Sequence, residues 1–113
     1  MNIRELIELT GAKDMTPEAS RETEVTCGYT CDLLSWVMAH GKAGMAWITV
    51  QTHMNVIAVA SLMEMAAVII PEDIEMEAPS LEKAKDEGIS VLQTKLTAFD
   101  ICARLAAAGL KGK

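Results

Sequence analysis

Cys27 and Cys31 are the first residues whose types and spacing could do chemistry. Cys31 falls at or near the start of a predicted helix. Helix N-terminal amides depress a thiol's pKa and raise its reactivity, whereas Ser or Asp would be the usual cap there. The functional reading is a redox-active or metal-binding thiol pair. The plain reading is two reduced cysteines filling apolar space. Zinc or an iron–sulfur cluster takes about four ligands, and this C-x-x-x-C supplies two, so no metal site is assigned. Cys102, His40 or His53, or a second copy pooling its cysteines, would have to complete one.

A larger set of polar residues gathers where strands are expected to hand over to helices. These turns run from Tyr29 to Asp32, Gln51 to Asn55, Pro71 to Asp73 and Gln93 to Thr97. In parallel α/β sheets ligands bind beyond the carboxyl ends of the strands. The first turn offers Thr30, Cys31 and Asp32, the second Gln51, Thr52, His53 and Asn55, and the fourth Gln93, Thr94 and Lys95. Gln and Asn supply paired donors and acceptors, His53 and Lys95 supply positive charge, and helix N-terminal amides hold anions. Together they are a candidate cradle for an anion or a nucleotide. The competing reading is ordinary capping by Thr30, Thr52 and Thr97. No Gly-rich phosphate loop accompanies the set, and no Ser/His/Asp or Cys/His nucleophile set can be assembled. The acidic clusters Glu72–Glu77 and Glu82–Glu87 read as solvated faces, with docking of a basic partner as the alternative.

These turns need a regular scaffold. Asn2 can cap a first helix that Gly11 ends. Residues 12–24 read as an irregular connection with a short edge strand before Thr16-Pro17. Strands are expected at 25–29, 45–50, 67–70 and 89–93. Helices are expected at 31–40, 53–65 and 80–87, with a last one opened by Thr97-x-x-Asp100 and closed by Gly109. His40 should end its helix, where a cationic ring suits the dipole. Alternating strands and helices predict an α/β domain, 1–113: a parallel sheet of about four to five strands covered by helices on both faces. Residues 25–110 form its core. Val50-Gln51-Thr52-His53 echoes Leu92-Gln93-Thr94-Lys95, as if one turn chemistry were used twice.

Composition narrows the function classes. The chain has 113 residues, with 10 basic and 16 acidic residues and a net charge of −6. That balance excludes a nucleic-acid binder or an anionic-membrane binder, which needs a basic footprint. The N-terminal stretch carries Arg4, Glu5 and Glu8 and is not an export signal. The apolar run from Met54 to Ile70 is interrupted by Asn55, Ser61 and Glu64 and is shorter than the ~20 residues of a membrane span. An odd number of cysteines without an export signal predicts reduced thiols in a cytoplasm. The helix within that run is apolar nearly all round, so it must be buried on all sides. It packs centrally or forms the interface of a homodimer, the commonest assembly.

GYTCDLLSWVMAH (28–40), WITVQTHMNVIAVASLMEMAAVII (47–70) and GISVLQTKLTAFDICARLAAAGL (88–110) resemble the DRTGG domain family, particularly its small stand-alone members. The resemblance extends to the N-terminal domain of bifunctional HPr kinase/phosphorylase, to a domain of bacterial phosphotransacetylases, and to modules joined to CBS pairs. It implies an α/β domain that dimerises and serves as a regulatory or ligand-sensing appendage, with no catalysis and no required cofactor. It also implies an association with iron-only hydrogenase or NADH-linked redox systems of anaerobes. The Asp-Arg-Thr-Gly-Gly stretch that names the family is absent, Thr30-Cys31-Asp32 stands where many relatives carry Gly-Ser-Asp, and no kinase P-loop is present. The expected function is therefore a non-catalytic ligand-sensing or interaction module. The alternative is a small thiol-redox or iron–sulfur accessory protein using Cys27 and Cys31.

Overall fold

Short apolar runs and well-placed helix caps build an alternating chain. The computed structural model describes residues 1–113. In order, the elements are α1 (Ile3–Thr10), β1 (Lys13–Asp14), β2 (Cys27–Thr30), α2 (Leu34–His40), β3 (Met45–Ile48), α3 (Met54–Leu62), β4 (Ala67–Ile70), α4 (Ala78–Glu87), β5 (Ser90–Gln93) and α5 (Ala98–Ala107). Asn2 opens α1 by accepting the Glu5 N–H at 3.0 Å, and Thr97 opens α5 by accepting the Asp100 N–H at 3.1 Å. Gly11 and Gly88 end α1 and α4 in the left-handed conformation, at φ 62° and 70°, which costs glycine little.

The five strands lie in the order β1-β5-β4-β3-β2. β2 to β5 are parallel, while β1 runs antiparallel to β5 with Lys13 opposite Gln93. The parallel sheet read from the sequence is present, with an antiparallel strand added at one edge. Side chains alternate across it as the pleat requires. Met45, Trp47, Val68, Ile70 and Val91 pack against α2, α3 and α4. Ala46, Ile48, Ala67, Ile69 and Leu92 pack against α1 and α5. All four residues of β3 and of β4 are buried, as expected of strands covered on both faces.

Several boundaries differ from those expected. The helix expected from Cys31 begins at Leu34, because the Cys31 N–H bonds the Ile48 carbonyl at 3.2 Å and so prolongs the β2–β3 ladder. β3 stops at Ile48, where Thr49 begins a turn. The α3 helix stops at Leu62, since Glu64 turns left-handed at φ 56°. The helix expected from Ser80 begins earlier, at Ala78. Pro79 lies in its first turn, where a missing N–H does no harm.

α3 lies between α2 and α4 and buries Val56, Ile57, Val59 and Ala60. Met54 and Leu62 remain exposed on it, beside exposed Leu33, Trp36 and Met38 of the α2 region. The apolar surface of α3 is thus only partly consumed within one chain. No helix is long and apolar enough to cross a membrane.

Thr16 fastens the N-terminal segment to β5. Its fully buried hydroxyl donates to the Ile89 carbonyl and accepts the Val91 N–H, both at 2.9 Å. Thr16→Val keeps the shape but leaves both main-chain groups unpaired. It should cost about 1–3 kcal/mol in a urea titration; an unchanged midpoint would show the clamp to be dispensable.

Candidate functional site

Because β2, β3, β4 and β5 are laid down in one direction, the connecting helices α2, α3 and α4 all return across the same face. The pattern breaks once. The connection leaving β4 leads to α4 on that face, and the connection leaving β5 leads to α5 on the other. Adjacent strand ends whose connections part in this way leave a crevice between them.

A polar cleft of about 260 Å³ lies beside these strand ends, lined by Thr10, Gly11 and Lys13 of the α1–β1 segment on one side and by Asp73 and Gln93 to Leu96 on the other. Its rim is built from main chain. The Glu72 N–H donates to the Leu96 carbonyl and the Asp73 N–H to the Thr94 carbonyl, each at 2.8 Å. These bonds hold Glu72 and Asp73 in the left-handed region, at φ 58° and 57°. That conformation costs a non-glycine residue of order 1 kcal/mol and is found where surroundings impose it, often beside ligands. The Gln93 amide donates to Asp73 Oδ1 at 3.0 Å. The Thr94 hydroxyl, itself buried, donates to the Thr10 carbonyl at 2.8 Å and accepts the Leu96 N–H at 3.2 Å. Lys13 and Lys95 are exposed and form no ion pair. The cleft therefore has rigid polar walls, with two ammonium groups and the Asp73 carboxylate in its lining.

Of the residues expected to form the site, Gln93, Thr94 and Lys95 meet in this cleft. The others do not join them. Asp32 is consumed as a clamp between the ends of β2 and β3: its Oδ1 accepts the Thr49 hydroxyl at 2.8 Å and the Val50 N–H at 3.0 Å. The Gln51 amide donates to the Asp32 carbonyl at 3.1 Å. The carbonyl of Thr52 accepts the Ser80 hydroxyl at 2.7 Å. His53, rather than Thr52, caps α3, with Nδ1 accepting the Asn55 N–H at 3.2 Å. Asn55 lies in an apolar groove between α2 and α3, and Thr30 in a separate cavity beside α5. Thr10, Gly11, Lys13 and Asp73 were not among the expected site residues. Asp73 ends a turn that the sequence does mark, whereas the one local signal for Thr10, Gly11 and Lys13 is the short strand before Thr16, whose partner no local pattern reveals.

His53→Ala should remove a helix cap and lower stability by about 1 kcal/mol, and leave anion binding in the cleft unchanged. His53→Asn should restore the stability. Lost binding with stability intact would return His53 to the site.

The echo between the two turns is not structural. The threonines that occupy equivalent places are Thr49 and Thr94. Each donates its N–H to a β4 carbonyl, of Ile69 and Ile70 respectively, and each hydroxyl accepts the N–H two residues on, at 3.2 Å. Thr52 lies three positions out of that register.

The cysteines are placed for packing. Cys27 is buried in the sheet, and Cys31 is four residues further along an extended segment. Four extended residues span about 13 Å, well beyond the ~7 Å Cα separation that a disulfide bridges. Cys31 is not at a helix N-terminus, so the dipole expected to activate it is not there. No group of three or more His, Cys, Asp or Glu side chains is placed to hold a metal ion. Partial burial pushes the Cys102 thiol up.

No model of a protein family matches the sequence, and no curated protein matches it. The fold is similar to a crystal structure of the CBS and DRTGG domains of the regulatory region of Clostridium perfringens pyrophosphatase, complexed with its activator diadenosine tetraphosphate. The TM-score is 0.77 at 12% sequence identity, covering 91% of this chain and 45% of that one. The chain thus has a DRTGG-like α/β fold and spans less than half of that regulatory region.

Proposed function

We propose that this chain is a regulatory, ligand-sensing module and not a catalyst, and that it binds the phosphates of a nucleotide in the β4–β5 cleft. The observation that carries the reading is the pair of unpaired lysines, Lys13 and Lys95, at the one strand-end crevice of the sheet. At about 260 Å³ the cleft is smaller than the usual ~300–1,000 Å³ of a whole-ligand pocket, so it suits the anionic part of a larger molecule. Its other polar groups are already bonded to one another, which favours holding a ligand over transferring protons to it. The similar regulatory region that binds diadenosine tetraphosphate supports the nucleotide class.

A homodimer fits the same reading, formed over the exposed strip of Leu33, Trp36, Met38, Met54 and Leu62. A cytoplasmic setting rests on the odd number of cysteines, and a hydrogenase-linked or NADH-linked partner on the family resemblance alone.

Calorimetric titration with ATP, diadenosine tetraphosphate and adenosine tests the proposal. The two phosphorylated ligands should bind, adenosine should not, and added salt should weaken binding as it screens the lysines. Equal binding of adenosine, or no binding by any of the three, would overturn it.

A further inference from the structure

Lys13 and Lys95 give the β4–β5 cleft its positive charge, but they leave the carboxylate in its lining without a role. Lys13 lies opposite Gln93 in the β1–β5 register, and Asp73 Oδ1 accepts the Gln93 amide at 3.0 Å. Gln93 thus stands between an ammonium group and a carboxylate, which form no ion pair with each other. A phosphate is attracted by the first and repelled by the second. Asp73 is nevertheless fixed in place. Its N–H is tied to the Thr94 carbonyl at 2.8 Å, its backbone is left-handed at φ 57°, and Gln93 orients its side chain.

What the pair still offers is acceptor capacity. Their mutual bond uses Gln93 Nε2 and Asp73 Oδ1 and leaves Gln93 Oε1 and Asp73 Oδ2 without a partner. An ionised carboxylate and an amide oxygen only accept, so these two atoms call for neutral donors side by side. The adjacent hydroxyls of a sugar are such donors. A divalent cation is the other species a carboxylate attracts, but no group of three or more His, Cys, Asp or Glu side chains is placed to hold one. In α/β dinucleotide folds an acidic side chain likewise accepts from a ribose hydroxyl beside the phosphate site.

We infer that Asp73 and Gln93 select a ribonucleotide by accepting hydrogen bonds from its 2′- and 3′-hydroxyls. The inference rests on the phosphate-binding reading of this cleft and adds the sugar to it. The lysines hold the phosphates, and the bonded Asp73–Gln93 pair holds the ribose. The carboxylate works in both directions. It rewards a ligand that brings hydroxyls, and it repels an inorganic polyphosphate that has the charge but no sugar. Specificity built partly on such repulsion is a common device.

The test is calorimetric titration with ATP, 2′-deoxy-ATP and inorganic tripolyphosphate, in EDTA so that no metal ion bridges Asp73 to the phosphates. The parent should bind ATP about tenfold more tightly than 2′-deoxy-ATP, and tripolyphosphate more weakly than ATP. Asp73→Gly removes the carboxylate at a left-handed position that glycine adopts freely, and should bind the two nucleotides equally. If Asp73→Gly fails to fold by circular dichroism, Gln93→Met decides: it keeps the length of the side chain without the acceptor and should narrow the difference. Equal binding of the two nucleotides by the parent, tripolyphosphate binding as tight as ATP, or full discrimination kept by the deciding variant would overturn the inference and leave the phosphate reading standing. No binding of ATP would overturn that reading, and the inference with it.

Discussion

Trp47→Ala should remove about 3–5 kcal/mol of stability, the usual cost of truncating a fully buried large aromatic residue. Domains of this size hold only about 5–15 kcal/mol in total, so much of the chain should unfold at moderate urea. Trp47 is the largest fully buried side chain and sits at the centre of β3, with 0% exposure. Its indole N–H also donates to the Cys31 carbonyl at 2.8 Å, which anchors the turn that follows β2. Trp47→Phe keeps most of the packing and loses that bond, and should cost roughly 1 kcal/mol for the bond plus a smaller packing loss. Urea denaturation followed by far-ultraviolet circular dichroism separates the two. A loss below about 1 kcal/mol for Trp47→Ala would contradict the packing described for the sheet.

The second large effect concerns binding. Lys13→Glu combined with Lys95→Glu should weaken ATP binding by more than about tenfold, since two attractive charges become repulsive at the mouth of the cleft. Each single change should give part of the loss. Both residues are exposed and unpaired, so the melting temperature should hardly move. Displacement of a fluorescent ATP analogue measures the effect. Parent-like affinity in the double variant would remove the lysines from the site.

The contrast with His53 shows which parts of the molecule a sequence discloses. Strands such as Ala67–Ile70 are legible because a β-branched apolar run bounded by turn residues has few other solutions. Helix ends at Gly11, Gly88 and Thr97 are legible because capping is local chemistry. Cys31 was misplaced because Thr30-Cys31-Asp32 before an apolar run resembles a helix start. Two tertiary contacts win there: the Cys31 N–H to Ile48, and the Asp32 clamp on Thr49 and Val50. Asp32, Gln51 and His53 have the right residue types for a ligand, yet neighbouring backbone has already engaged them. Half of the cleft comes from a segment that only topology brings there. Thr10 and Thr94 are 84 positions apart in the chain and meet through a hydrogen bond. Lys13 faces Gln93 because β1 pairs antiparallel with β5. The direction taken by α5, which creates the crevice, depends on which face α2, α3 and α4 leave uncovered, and no local pattern encodes that.

The most direct test of the ligand-sensing account is the position of a bound nucleotide, read from amide chemical shifts of isotopically labelled protein titrated with ATP. The account predicts saturable shifts at Thr10, Gly11, Lys13, Asp73 and Gln93 to Leu96, with Gln51 to Asn55 unmoved. Saturable shifts centred on His53 and Asn55, or no shifts at millimolar ATP, would contradict it.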